Sequence, residues 1–422
     1  MRKAVVLVCD GLRGDMIRPD WTPNLCRLAA RSRTFSNHST VFPSTTRTTA
    51  ASIATGCRPG RHGLEGNCVA LDEGNGLVAV SAGAPEFRDR LERATGRTLA
   101  VPTLSERLAG NGATAAVYSN VSAGAARFHD PDGFGYLYHR QGSFGPGRRP
   151  ITGDGHLDVG HDGAGDTAMT ERFVAEALVE AGPDYAVLWQ CEPDHTQHAC
   201  PLGSPEHVDA IRTADDNVGR VFERIEAMRR DGDDVLLLIG SDHGHETVDG
   251  IVPLGDLLVQ AGLKDADESS DVVVASNGFS ANLYFSGDAL GRVAAVAEFV
   301  TTVDGIERVY QGGELATLGH RTGTALRLAV TTEGTDAPNE YGVPGRRLAI
   351  ADPLHGDTRM GCGQHGGLGR FEQSPFLIVN GDEVASQSEC GEATSTIDIA
   401  PTVLAHLGHA AEGMDGTPLP LA

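Results

Sequence analysis

Four short apolar runs are the feature of this sequence that most restricts its fold. They cover Lys3–Cys9, Ala113–Tyr118, Tyr185–Cys191 and Val235–Gly240. Continuous apolar runs of this length are typical of strands that are buried on both faces, as in a parallel sheet. Helical patterns alternate with them over Pro23–Ser32, Ser105–Ala109, Thr167–Ala181 and Glu206–Arg230. This alternation predicts an α/β fold with a doubly wound, mostly parallel sheet flanked by helices.

Two segments interrupt the alternation. Residues 122–166 are rich in Gly, Asp, His and aromatic residues and show little periodicity, whereas residues 271–351 have a small α+β pattern. In the second segment we predict strands at Phe279–Phe285, Arg308–Tyr310 and Ala325–Val330 and a helix at Asp288–Val303. Long insertions on an enzyme scaffold often carry function, so we expect both to form lids. The core would then comprise residues 1–121, 167–270 and 352–422.

Composition restricts the partners of this chain. The 422 residues carry a formal net charge of −23, which argues against a nucleic acid polymer because backbone binding needs a cationic surface. No apolar run approaches the roughly 20 residues of a membrane helix, and the short N-terminal run has no signal-peptide cleavage site. We therefore predict a cytoplasmic protein without a membrane partner, and a homodimer stays open. The eight scattered cysteines are expected to be free, mostly buried thiols.

Acidic and imidazole side chains follow three of the predicted strands. Asp10 follows the first, Asp194 and His198 follow the third, and Asp242 and His243 follow the fourth. One aspartate after a strand is usually a turn or cap residue. The carboxyl ends of strands in an open α/β sheet meet at one crevice, however, so three such groups predict a shared site there.

A hydroxyl-rich segment supplies the fifth element of this site. Pro43-Ser44 leads into a predicted helix at Thr46–Thr55 that stops at Gly56. Hydroxyls at a helix N-terminus are ordinarily caps. They also lie where backbone N–H groups favour a phosphoryl group and where a metal could activate a hydroxyl as a nucleophile.

Together these motifs resemble the alkaline phosphatase superfamily, in particular its branch of nucleotide pyrophosphatases/phosphodiesterases and phosphonoacetate hydrolases. The matching motifs, in the family's order, are Asp10, Pro43-Ser44-Thr45-Thr46, Thr55–Gly63, Asp194-x-x-x-His198, Ser241–Gly244, Gln364–Gly367, Ser395–Leu404 and Met414–Leu419. Because they extend from Asp10 to Leu419, the resemblance covers almost the whole chain.

The resemblance implies a two-metal hydrolase. One divalent ion would be held by Asp10, Thr46, Asp242 and His243, and a second by Asp194, His198 and His365. Zinc suits this mixture of carboxylates and imidazoles best, although Mn²⁺ and iron also accept it. Thr46 would be the catalytic nucleophile that cleaves a phosphate ester through a phospho-threonine intermediate.

The resemblance leaves the substrate open within a class of small, anionic phosphorus compounds. Arg47 follows the nucleophile, and Thr49 occupies a position where the phosphodiesterase branch has an asparagine that steadies the phosphoryl oxygens. We predict that Arg47, Thr49 and Asn67 bind substrate, since a guanidinium can grip phosphate or carboxylate oxygens. The alternatives are C–P bond cleavage of the phosphonoacetate hydrolase type and phosphomonoester hydrolysis. A more remote alternative is an inactive metal-binding relative.

Other histidines lie beside these motifs. His62 is predicted to have a structural hydrogen-bonding role, and His195 and His245 are predicted to support the metal ligands. The stretch Asp154–Gly163 invites comparison with a metal loop but lacks the closing glutamate of a calcium site, which favours a mobile lid segment.

Overall fold

Ten strands form the central sheet of the protein. The computed structural model describes residues 2–354 and 359–422. Across the sheet the strands are Ser388–Cys390, Arg33–Phe35, Leu377–Asn380, Asp234–Gly240, Arg2–Cys9, Tyr185–Gln190, Ala115–Ser119, Tyr136–His139, Ser143–Gly145 and Arg149–Ile151. The five from Asp234–Gly240 to Tyr136–His139 are parallel. This confirms the predicted α/β class with a mostly parallel sheet.

Alternate residues of the central strand Arg2–Cys9 enter opposite layers of the core. Val5 and Leu7 pack in the cluster that includes helices Gly163–Glu176 and Pro205–Arg230. Val6 and Val8 pack in the cluster on the other face, with helices Thr46–Thr55 and Ile399–His406. Because both faces are covered, every position from Ala4 to Cys9 in the strand is apolar. Full burial of each such side chain contributes about 1.5–3 kcal/mol.

The five helices that the sequence predicts in the core are all present, together with others that its patterns do not predict. The α-helices are Pro23–Ala29, Thr46–Thr55, Pro59–His62, Phe87–Thr95, Leu104–Gly110, Ala123–Phe128, Gly163–Glu176, Asp194–Gln197, Pro205–Arg230, Leu254–Gln260, Val293–Val300, Glu314–Thr317 and Ile399–His406. The long helix begins at Pro205 because the Ser204 hydroxyl accepts the N–H of His207 and proline fills the first helical position.

Segment 271–351 contains the expected small α+β unit. Its strands Val272–Ser276, Ser280–Phe285, Leu326–Thr332 and Ile306–Gln311 form an antiparallel sheet. The predicted helix at 288–303 divides into a 3-10 turn, Gly287–Arg292, and the α-helix Val293–Val300. A second sheet joins this unit to the core through strands Gly334–Pro338, Pro344–Ile350, Glu246–Val252 and Gly363–Gln364. We call residues 271–351 the cap.

Segment 122–166 differs from the separate lid that the sequence suggests. Its strand Tyr136–His139 pairs in parallel with Ala115–Ser119, and two further strands extend the sheet edge. Tyr138 also stacks on Tyr118, with ring centroids 4.4 Å apart. The strands are short and partly exposed, so they lack the apolar runs of the central strands. The hairpin strands Cys68–Asp72 and Leu77–Ser81 are also not predicted from the sequence.

Candidate active site

A cavity of about 810 Å³ lies at the carboxyl ends of the parallel strands. The cap contributes Ser276, Asn277 and Gly278 to its wall. The predicted site residues that line it are Asp10, Thr46, Arg47, Asn67, Asp194, His198 and His365. Asp242 and His243 are fully buried beside Asp10. The strand ends and the start of helix Thr46–Thr55 therefore meet at one place, as the sequence predicts.

The first cluster consists of Asp10, Asp242, His243 and the hydroxyl of Thr46. Nε2 of His243 lies 3.6 Å from Oδ1 of Asp10, 3.2 Å from Oδ2 of Asp242 and 3.2 Å from Oγ1 of Thr46. Ligands of a tetrahedral metal with bonds of 2.0–2.1 Å are about 3.3 Å apart. These separations fit four ligands of one ion.

In this cluster, one oxygen of each carboxylate is hydrogen-bonded by the protein and the other oxygen remains available to a metal. Trp189 donates Nε1–H to Oδ2 of Asp10, and the backbone N–H of Gly11 donates to Oδ1 of Asp242. The opposite oxygens, Asp10 Oδ1 and Asp242 Oδ2, are buried without a hydrogen-bond partner among the described residues. Buried carboxylate oxygens without partners are costly. A divalent cation would satisfy both oxygens.

The electrostatics of the cluster support the same conclusion. Burial, and then the neighbouring carboxylate of Asp242, raise the pKa of Asp10 well above the usual range of an aspartate. Burial raises the pKa of Asp242 to about 8. Burial also lowers the pKa of His243 to about 4, so that its imidazole is neutral and able to bind a metal at neutral pH. Two adjacent buried carboxylates require a cation if both are to be ionised.

The second cluster consists of Asp194, His198 and His365, with His245 beside them. Oδ1 of Asp194 lies 3.4 Å from Nε2 of His198 and 3.6 Å from Nε2 of His365. Burial opposes ionisation of Asp194, but the contacts with His198 and His245 hold its pKa well below the usual range. Three protein ligands with an open position are typical of catalytic zinc sites. The donor sets of both clusters therefore fit divalent metals.

A buried network fixes the loop that carries His365. Nδ1 of His365 contacts the backbone oxygen of Ser44 at 2.7 Å, which points Nε2 towards Asp194. The Ser44 hydroxyl donates to Glu372 and accepts the N–H of Gly366. Glu372 also accepts the N–H of Gly367. This network ties the loop before the nucleophile to the loop of a metal-ligand candidate.

Thr46 begins its helix without acting as the cap. Thr45 occupies the N-cap position, and Gly56 ends the helix with a positive φ of 65°. The Thr46 side chain is buried next to the first cluster. The imidazole of His243, which contacts Thr46, stacks on that of His365 with ring centroids 3.7 Å apart. The candidate nucleophile therefore lies where the two clusters meet.

The three predicted substrate-binding residues separate into two groups. Arg47 and Asn67 line the cavity, and Oδ1 of Asn67 accepts the backbone N–H of Arg47 at 3.1 Å. The Arg47 Nε–H donates to the hydroxyl of Ser122. Thr49 is fully buried, with its hydroxyl 3.1 Å from that of Thr40. The structure does not bring Thr49 to the cavity. Thr49 lies one helical turn after Thr45, whose backbone oxygen accepts the N–H of Thr49, and its side chain faces the protein interior.

The remaining histidines have different surroundings. Both ring nitrogens of His62 are hydrogen-bonded, to Ser52 and Leu64, which agrees with a structural role. His195 lines the cavity beside His161, with ring centroids 4.3 Å apart. Sequence reasoning did not assign His161 or Ser122 to the site. Their segment joins the edge of the sheet, and its richness in Asp, Gly and His is the one sequence signal that could have indicated a role in the site.

A mostly parallel sheet with two carboxylate–imidazole clusters beside a threonine at a helix start is the arrangement that the resemblance to the alkaline phosphatase superfamily implies. The sequence profile of the type I phosphodiesterase / nucleotide pyrophosphatase family matches residues 4–349, so the chain belongs to that family. The predicted resemblance is thereby confirmed. No curated protein matches the chain.

Solved structures share the fold over nearly the whole chain. Murine ectonucleotide pyrophosphatase / phosphodiesterase 5 superposes with a TM-score of 0.71 at 15% identity and covers 99% of this chain and 98% of its own. The human protein gives the same TM-score and identity and covers 97% of its own chain. An inactive variant of the murine protein, in complex with AMP, is equally similar. At this identity the likeness concerns the fold.

All eight cysteines are free thiols, as the sequence predicts, and six of them are buried. Within residues 2–354 and 359–422, every helix is too short or too polar to cross a membrane.

Proposed function

We propose that the protein is a two-metal hydrolase that cleaves a phosphate ester through a covalent intermediate on Thr46. The observation that carries the proposal is the position of Oγ1 of Thr46, 3.2 Å from the candidate metal ligand His243. One ion would be held by Asp10, Thr46, Asp242 and His243, and the other by Asp194, His198 and His365. Zinc is the best candidate for this donor set.

The chain's own residues account for most of the reaction. A divalent ion lowers the pKa of a bound hydroxyl and stabilises charge on a leaving oxygen. Oγ1 of Thr46 loses its proton and forms a bond to phosphorus while the bond to the leaving oxygen breaks. The leaving group departs with the electron pair and takes up a proton. Water then attacks phosphorus, and Thr46 regains its proton as phosphate or a monoester leaves.

Arg47 and Asn67 are proposed to bind the phosphoryl oxygens. Since Oδ1 of Asn67 already accepts the N–H of Arg47, its NH₂ group is the end that can donate to substrate. Two bound ions together with Arg47 would make the pocket locally cationic within a protein of net charge −23. The partner is therefore a small anionic phosphorus compound. Because the nucleophile and both clusters are assembled, an inactive relative is disfavoured.

A second candidate function is hydrolysis of a phosphomonoester or a carboxylate-bearing phosphonate. It is favoured by the guanidinium of Arg47 in the cavity wall, because an additional cation benefits a doubly charged substrate more than a diester. Purified protein should be analysed for metal content and tested with bis-p-nitrophenyl phosphate, p-nitrophenyl phosphate and phosphonoacetate. We expect turnover that is lost on chelation and restored by Zn²⁺. Metal-loaded protein that hydrolyses none of the three would contradict the proposal.

A further inference from the structure

His245 lies closer to Asp194 than either neighbouring imidazole does. Its Nε2 is 2.8 Å from Oδ1 of Asp194. The corresponding distances from His198 and His365 are 3.4 and 3.6 Å. Ligands that share a tetrahedral zinc ion are about 3.3 Å apart. The distances from His198 and His365 to Asp194 therefore match those between ligands of one ion, whereas the distance from His245 is that of a hydrogen bond.

The other ring nitrogen of His245 indicates which role the ring has. Nδ1 is buried and has no hydrogen-bond partner among the described residues. If Nε2 bound a metal, Nδ1 would carry the proton, and a buried N–H would have no acceptor. If Nε2 donates to Asp194, Nδ1 carries only a lone pair. Buried donors without partners are rarer than buried acceptors without partners, so the donor role is favoured.

The fold provides a closely fitted slot for this ring. A Cβ at Gly11, where φ is +67°, would lie 2.8 Å from Nε2 of His245. A Cβ at Gly363 would lie 2.8 Å from Nδ1. Buried Arg13 donates Nη1–H to the backbone oxygen of His245 and so holds the main chain of this residue. The slot holds the ring in the orientation that reaches Asp194.

We propose that His245 is a positioning residue that donates Nε2–H to Oδ1 of Asp194 and thereby orients this carboxylate as a metal ligand. A carboxylate oxygen has two lone pairs, so Oδ1 can accept this bond and still bind an ion. Asp194, His198 and His365 then remain the three protein ligands that would hold the ion. The inference rests on the proposed two-metal function.

Two substitutions separate the possible roles of His245. His245→Leu keeps the buried volume but removes the donor, whereas His245→Gln retains an N–H close to the position of Nε2. Zn²⁺ affinity and stoichiometry would be measured by competition with a chromophoric chelator. The visible spectrum of the Co²⁺-substituted protein would report the coordination of the ion.

We expect His245→Leu to weaken one of two sites on the order of 10–100-fold, the usual effect of losing a hydrogen-bond partner of a ligand. His245→Gln should retain the wild-type affinity and Co²⁺ spectrum. If the His245→Leu variant binds Zn²⁺ as tightly as the wild-type protein, His245 has only a packing role. If the His245→Gln variant binds Zn²⁺ as weakly as the His245→Leu variant and its Co²⁺ spectrum changes, His245 is a ligand. Either result would overturn the inference and leave the proposed function intact.

A third variant covers failure of the leucine protein to fold. Gly363→Ala would displace the ring through contact at Nδ1 while keeping all candidate ligands. It should weaken the same site, and unchanged affinity would contradict the positioning role. Wild-type protein that binds no metal would contradict the proposed function as well as this inference.

Discussion

Oγ1 of Thr46 lies 3.2 Å from Nε2 of His243, although the two residues are 197 positions apart in the sequence. The same nitrogen lies 3.2 Å from Oδ2 of Asp242, which has no hydrogen-bond partner among the described residues. The hydroxyl and the carboxylate therefore approach a common point. An ordinary capping hydroxyl would instead accept a backbone N–H of its own helix, and Thr46 has no such role here.

Substitution of one ligand in either cluster should remove the metal ion of that cluster. Asp242→Asn removes the charge but keeps an oxygen that can accept the N–H of Gly11. His365→Ala removes a ligand of the second cluster. We expect elemental analysis to find about one ion per chain in either variant, with activity lost because both ions are needed. Two tightly bound ions in both variants would exclude this ligand assignment.

Metal removal should destabilise the protein more at pH 8 than at pH 6. In the chelated protein Asp242 has a raised pKa of about 8, compared with an ordinary value of about 4. Between these values the folded state holds a proton that the unfolded state has released, so stability falls as pH rises through this window. A bound ion removes this loss by stabilising the ionised carboxylate.

Thermal unfolding of loaded and chelated protein at both pH values tests this expectation. The difference in Tm should be larger at pH 8, and the chelated Asp242→Asn variant should depend less on pH than chelated wild type. A difference in Tm that is equal or larger at pH 6 would show that Asp242 does not titrate in this way.

Arg47 should discriminate between substrate classes. Arg47→Ala is expected to cost monoester or phosphonate hydrolysis about 2–4 kcal/mol of transition-state stabilisation, as for loss of a charged oxyanion donor. Diester hydrolysis should lose much less, because a diester carries less negative charge and needs room for its second substituent. Arg47→Lys is the matched control, since it keeps the charge but not the two-pronged geometry.

The measurement is kcat/KM for p-nitrophenyl phosphate, bis-p-nitrophenyl phosphate and phosphonoacetate on all three proteins. Equal losses on the three substrates in Arg47→Ala would mean that Arg47 does not discriminate.

Local sequence signals were sufficient for the parts of the fold that are buried on both faces. The four apolar runs became central parallel strands whose ends differ from the predicted bounds by at most two residues. Because those ends converge, the sequence alone assigns Asp10, Asp194 and Asp242 to one site. The strands Tyr136–His139, Ser143–Gly145 and Arg149–Ile151 lack such runs because they are short and partly exposed. The antiparallel strand Leu377–Asn380 does have an apolar run, Phe376–Val379, but it pairs with strands that are far away in the sequence.

Side-chain direction was the information that the sequence lacked. Thr49 and Asn67 were both predicted to bind substrate, yet Thr49 faces Thr40 while Asn67, twenty residues after Arg47, returns to the cavity. His245 was predicted to support the metal ligands, and its contact with Asp194 is consistent with that role. Cytoplasmic localisation and a homodimer stay predictions from the sequence.

The most direct test of the account is the activity of Thr46→Ala compared with Thr46→Ser and wild type, with metal content measured on the same samples. Serine retains a hydroxyl at the start of the helix, so it should keep a substantial part of the activity. Alanine should fold and retain most of its metal, because Asp10, Asp242 and His243 remain to hold the first ion. It should lose several orders of magnitude in kcat, because the covalent step disappears. If the metal-loaded alanine variant retains more than about a tenth of wild-type turnover, Thr46 is not the nucleophile.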